Sequence, residues 1–363
     1  MPHSSIVHDL RSAHSADALL TGAPLPTLLY FALPIILGNI FQQLYSIVDA
    51  IVVGNFLGDL PLSGISVASP IVDVANALVI GGTIGVGVLC AHYCGAGEGE
   101  RLRCMNATAL LGGGALTLLI ALCGIFFSTP LLRAQGTEEA VCREAAVYLQ
   151  LVFAGLLFCF LYNYYAAMLR SCGNSRTPFL ILLLSSTLHA LLDVLFVGVF
   201  GWGIRGVAFS TVLCQALAAA ACILYAQRRC PPLLLRPANL RFDRQMARLV
   251  LSYAWAAALQ QAVVCIGRLL VQGMLTPLGT STVTGYNMSL RTEQFLFCFS
   301  QGISAAMVVC LSQNLGHGDR PRARRFFRIS VLVELALIAL LGTVCFPVSY
   351  THLRAHETKA NLV

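Results

Sequence analysis

The chain has 363 residues, of which 57% are hydrophobic and 11% charged, and its net charge is +7. Soluble domains carry about 25% charged residues and need more polar cover than this composition supplies. A soluble enzyme, a disordered chain and a nucleic-acid module are therefore excluded, which leaves an all-α, polytopic membrane protein.

Residues 1–24 read as a polar cytoplasmic tail with His3, His8 and His14, whose spacing suits no metal site. The tail is not a signal peptide, because the first apolar run starts late and exceeds a signal core. A bilayer core takes about 20 apolar residues per helix. Runs of that kind fall near 28–56, 64–92, 105–127, 140–168, 178–200, 205–226, 248–275, 283–313 and 326–348. They predict nine spans, with Pro34 inside the first and Gly81, Gly82, Gly85 and Gly87 inside the second. Such residues within spans point to kinks and close helix contacts.

Arginine sets the orientation. Sixteen arginines lie on one side, at 11, 101, 103, 170 and 176, between 228 and 248, and between 320 and 328; Arg133, Arg143 and Arg205 lie on the other. The asymmetry predicts a cytoplasmic N-terminus.

The chain also repeats itself at an offset of 221: Leu57-Gly58 matches Leu278-Gly279, Gly81 matches Gly302, and Gly95 and Gly97 match Gly316 and Gly318. Arg101 and Arg103 match Arg322 and Arg324, and a Gln-Gln pair recurs slightly out of step at 42–43 and 260–261. Six spans separate equivalent points, so both copies face the same way, like parallel repeats in secondary transporters. The expected division is a six-helix lobe at 25–227, a cytoplasmic linker at 228–247, and three helices of a second, incomplete lobe at 248–348. Residues 349–363 hold the only lysine and resemble translated adapter sequence, so they are expected to be a non-native tail.

Ionisable groups at membrane depth are costly and usually functional. Asn39, Gln42, Ser46 and Asp49 step by 3, 4 and 3 along the first span and share one stripe. Ser185, His189 and Asp193 step by 4 and 4 in the fifth span, so His189 and Asp193 can touch. Burial disfavours a charged carboxylate, which suits Asp49 and Asp193 to proton or cation exchange, with His189 beside them. Tyr162 and Tyr165 in the fourth span are expected to add to a cavity, as are Gln261, Arg291 and Glu293 in the second copy. Asp73 and Glu334 are weaker candidates, Glu334 having no obvious partner. The glycine loops at 95–100 and 316–319 are turns between helices, lacking a P-loop pattern. The 14 cysteines lie mostly inside apolar runs with no C-x-x-C, and read as small fillers of helix packing.

Three segments carry a family resemblance. They are LPIILGNIFQQLYSIVDAIVVGNFLG at 33–58, LRSCGNSRTP at 169–178, and Leu290-Arg291-Thr292-Glu293-Gln294. Together they resemble the multidrug and toxic compound extrusion family, and its DinF-like branch in particular. The resemblance implies a secondary antiporter, not an enzyme. It would export amphipathic, often cationic drugs against protons or sodium from a bacterial cytoplasmic membrane. Asp49 and Asp193 would carry the cation site, and Pro34 the bend of the first helix. His189 stands where the family usually has Asn, which favours protons. A lipid-linked oligosaccharide flippase of the same superfamily is the alternative, but it would want more basic residues than Arg268 and Arg291 in the cavity. No cofactor and no metal are expected, and the partners expected are small organic molecules and lipid, with the protein a monomer.

Overall fold

The computed structural model describes residues 14–233 and 241–360. Side chains at 14–17, 45, 48–50, 59, 287 and 344–360, and at several positions between 232 and 284, lie outside that description. His3, His8, the middle of the linker and the side chains of the C-terminal tail therefore fall outside it, as does the side chain of Asp49.

Among the described residues nine helices are long and apolar enough to cross a membrane. They are α1 (Pro24–Phe56), α2 (Asp59–Ala96), α3 (Gly99–Ala134), α4 (Glu139–Ser171), α5 (Arg176–Asp193), α6 (Gly203–Arg229), α7 (Arg244–Leu275), α8 (Thr280–Gly316) and α9 (Arg320–Ala360). All nine predicted spans are present, and most of the helices overrun the predicted ends because their polar terminal turns extend past the apolar runs. A further short helix, His14–Thr21, precedes α1. Part of the expected tail is thus docked structure. Leu19 is buried beside Leu28, Ile303 and Phe326, and the Leu19 carbonyl accepts from Asn314 Nδ2 at 3.2 Å. Arg322 donates to the Leu19 and Gly22 carbonyls as well, so the open carbonyls of this helix end find partners on α8 and α9.

The core lies around α4, which packs against α2, α3 and α6. A helix surrounded on three sides must satisfy its polar groups internally. Tyr164 does so by donating to Asn106 Oδ1 at 2.6 Å, while Asn106 Nδ2 donates to the Leu233 carbonyl at 3.1 Å. Tyr164→Phe is expected to lower stability by about 1–3 kcal/mol, the range for orphaning a buried polar partner. Thermal unfolding in detergent would measure it, and an unchanged midpoint would remove this network from the account.

The repeat appears in the contacts themselves. A Cβ on Gly95 would overlap the Gln313 carbonyl, and one on Gly316 would overlap the His92 carbonyl. Residues 92 and 313 differ by 221, as do 95 and 316, so the two contacts exchange under the repeat. Gly81 meets Ala257 and Ala258 of α7, while Gly302 meets Ile36 of α1; 36 plus 221 is 257. The caps obey the same rule. The Gly97 and Glu98 amides donate to Cys94 and Tyr93, and those of Gly318 and Asp319 to Leu315 and Asn314. Both cap glycines have positive φ, 70° and 86°, where a Cβ is strained. The arrangement is a pair of parallel repeats meeting across α2 and α8. Gly82, by contrast, has nothing near its missing Cβ, so only part of the glycine run serves close packing.

Candidate functional site

The most enclosed ionisable cluster described inside the bundle is built by α5 and α6. The connection between them is short, and Gly201 and Gly203 adopt positive φ in it. The two helices are therefore antiparallel neighbours. Asp193 closes the α-helical part of α5, and Val194–Val199 continues as a π-helix. A π turn widens the helix and is frequent at functional sites. Within it Phe196 stacks on Trp202 with ring centroids 4.9 Å apart, and Phe209 packs on both.

Asp193 is 0% exposed and His189 is 4% exposed. His189 Nδ1 lies 2.9 Å from Asp193 Oδ2. On the far side of the ring, Nε2 is 2.9 Å from Thr211 Oγ1. Thr211 Oγ1 also lies 2.9 Å from the Val207 carbonyl, so its single proton serves either that carbonyl or His189 Nε2. Ser210 Oγ is in a very short contact with Asp193 Oδ1. Asp193 Oδ2 accepts no hydrogen bond from a hydroxyl or amide among the described residues.

The contact between Nδ1 and Oδ2 is favourable when a proton lies between them. An uncompensated charge in so buried a place is costly unless a partner or a cation neutralises it, so the geometry sets an acid against a base where a proton or a cation can be held.

The predicted contact between His189 and Asp193 is present. Ser210 and Thr211, which complete it, were missed; the available signal was a pair of adjacent hydroxyls in the mainly apolar sixth span. Asp49 belongs to α1, and the register of α1 on α5 locates its backbone. Gly38 packs on Leu182, and Val53 clusters with Val197 and Val207. Both pairs are 144 apart along the chain, and the same step leads from Asp49 to Asp193. The two helices run parallel, so both aspartate positions stand at one level.

The other predicted residues are placed differently. Asn39 Nδ2 donates to the Cys298 carbonyl of α8 at 3.3 Å, tying the two repeats together. Gln42 and Ser46 are exposed in the protein, and Ser46 Oγ donates back to the Gln42 carbonyl. Tyr165 is buried in the core cluster and Tyr162 packs against it, because α4 has neighbours on three sides. Pro34 is buried within an unbroken α1. Gln261 is half-buried on α7. Arg268 pairs with Glu293 at 3.0 Å, across from α7 to α8, while Arg291 is exposed. Glu334 does have partners: Ser300 and Ser304 of α8 donate to its two oxygens at 2.5 and 2.9 Å. Two hydroxyls four residues apart on a facing helix are hard to read from sequence as a carboxylate clamp.

A multi-pass helical protein of two parallel repeats, with a buried acid–histidine pair in one of them, has the build of a secondary transporter. Residues 34–195 and 256–363 match the family described as MatE, and the chain belongs to that family. It is 26% identical over 327 residues to the probable multidrug resistance protein YoeA of Bacillus subtilis (strain 168), covering 88% of this chain and 71% of the relative. It is 29% identical over 303 residues to the probable multidrug resistance protein YpnP of the same organism, covering 83% and 67%. A solved MOP superfamily transporter from Pyrococcus furiosus shares the fold with a TM-score of 0.83 at 19% identity, covering 90% of this chain and 73% of that one. The solved neighbour is a transporter, and the chain, as a member of the MatE family, is not an enzyme.

Proposed function

We propose that this protein exports amphipathic, often cationic organic compounds by antiport with protons, as a member of the DinF-like branch. Its place would be a bacterial cytoplasmic membrane with the N-terminus inside, as the arginine asymmetry supports. The lobe at 25–227 and the helices at 248–348, joined by the linker at 228–247, would rock about their shared seam. The observation that carries this reading is the buried His189–Asp193 pair, an acid set 2.9 Å from a ring nitrogen at membrane depth.

Under this reading the seam of Gly95 and Gly316 is the cytoplasmic gate in its closed state. Proton entry from outside neutralises the Asp49 and Asp193 region and weakens its hold on a cationic drug, which leaves outward. Proton loss to the cytoplasm restores the negative charge and the affinity. The coupling arises because the two ligands favour different charge states of one site. Sodium is less suited, since its ligand sphere wants oxygens and His189 presents a ring nitrogen to Asp193.

The test is accumulation of a fluorescent cationic dye in efflux-deficient bacteria expressing the chain. Accumulation is expected to fall with expression, to recover when a protonophore collapses the gradient, and to ignore replacement of sodium by potassium. Efflux that survives the protonophore but needs sodium would overturn proton coupling.

A further inference from the structure

Three thiols meet where the end of α2 touches the turn after α4. Cys90 and Cys94 stand one helical turn apart in α2, and Cys172 caps α4. Their Sγ atoms all lie within 4.8 Å of one another, and those of Cys94 and Cys172 are 3.3 Å apart. Cys90 is fully buried, whereas Cys94 and Cys172 are partly exposed. The triangle therefore has a closed floor and a rim that a small ion can reach. Cys230, just past α6, is within electrostatic reach of both Cys94 and Cys172. This is the one group of three metal-ligating side chains that converges among the described residues.

Thiolates around a tetrahedral ion, with metal–sulfur bonds of about 2.3 Å, sit about 3.8 Å apart. That spacing falls between the contacts observed here, so small rotations of the side chains suffice. Thiolate ligands select soft and borderline ions over magnesium, calcium or sodium. We propose that Cys90, Cys94 and Cys172 form a three-thiolate site for a thiophilic metal ion of the Zn2+ class, its fourth position taken by water or Cys230. Binding forms three sulfur–metal bonds and releases the three thiol protons to solvent, so affinity falls as the medium is acidified.

The site would clamp a corner that already carries contacts. Ser171, next to Cys172, donates to the Gly87 carbonyl of α2 at 2.8 Å, and its own carbonyl accepts from Gln313 of α8 at 2.6 Å. A bound ion would cross-link α2 to the α4 turn beside the seam of the two repeats. None of this depends on what the protein transports.

The full chain, purified reduced in detergent without oxygen, is titrated with Cd2+ as a spectroscopic stand-in. One ion per chain is expected, with a thiolate-to-metal charge-transfer band that Zn2+ removes by competition. Cys94→Ala and Cys172→Ala should each weaken binding at least tenfold, and Cys123→Ala, an exposed cysteine elsewhere, should leave it unchanged. If the alanine variants aggregate, the unmodified chain decides: Zn2+ should protect Cys94 and Cys172, identified by mass spectrometry, from maleimide at least tenfold. No band, a band unchanged in the double variant, equal labelling with and without Zn2+, or a Cys94–Cys172 disulfide in the anaerobic protein would each overturn the site.

Discussion

Asp193→Asn is expected to reduce dye efflux at least tenfold, to near the background of cells lacking the protein, while the variant still inserts in the membrane. The amide keeps the shape of the side chain and can still meet Ser210, whose contact with Asp193 Oδ1 is intact in the protein. It cannot gain or lose a proton, as the carboxyl group facing His189 across 2.9 Å can. The site is then frozen in one charge state, and the differential affinity that drives exchange disappears. Undiminished efflux by a variant present in normal amount would remove Asp193 from the coupling machinery. A companion experiment separates the charge from the packing. His189→Leu strands a buried carboxylate, which costs about 3–5 kcal/mol when one partner of a buried pair is removed. Adding Asp193→Asn in the His189→Leu background should return most of that stability, since the charge that suffered is gone. A double variant no more stable than His189→Leu alone would show that the pair is not coupled.

The second large effect is expected at the seam of α2 and α8. Gly95→Val and Gly316→Val each place a branched side chain where even one carbon overlaps a backbone carbonyl, that of Gln313 and that of His92. Backbone cannot rotate aside as a side chain can, so the helices must separate. Overpacking of this kind costs about 1–3 kcal/mol, and the upper end is expected here because the obstacle is main chain. Because the two contacts exchange under the repeat, they belong to one interface. The double variant should therefore be less destabilised than the sum of the singles, a departure from additivity of about 0.5–3 kcal/mol between coupled neighbours. Gly82→Val is the control, with open space around its Cβ position. Thermal unfolding in detergent measures all four. Strict additivity, or a control as damaging as the seam variants, would argue against a shared glycine contact.

Much of this architecture was legible in the amino-acid order. Nine apolar runs gave nine membrane-length helices among the described residues, because lipid leaves the backbone few ways to satisfy itself. The offset of 221 located contacts as well as motifs, since residues that recur at one spacing recur in one role. The pairing of His189 with Asp193 follows from helical geometry alone, because four residues make about one turn. Where the reading fell short, the partners came from another helix. Ser210 and Thr211 meet Asp193 and His189 across the α5–α6 hairpin, and Ser300 and Ser304 reach Glu334 from α8. The polar stripe Asn39, Gln42, Ser46 is regular along α1, yet regularity does not say which neighbour it meets; Asn39 turns out to bridge to α8. The aromatic residues Tyr162 and Tyr165 were expected at a cavity wall, but α4 is enclosed and takes them into the core.

What the sequence determined by itself is the class of protein: the helix count, the duplication, the arginine asymmetry and the turn that joins an acid to an imidazole are all local or periodic, and periodicity survives without coordinates. What only the tertiary structure decided is which distant groups share a volume. Cys90 and Cys94 look like packing residues until α4 delivers Cys172 to them, and a buried aspartate looks merely polar until the next helix brings one hydroxyl to it and another to its histidine. Contacts between residues far apart in the chain depend on how helices cross, and crossing depends on every side chain in the interface at once.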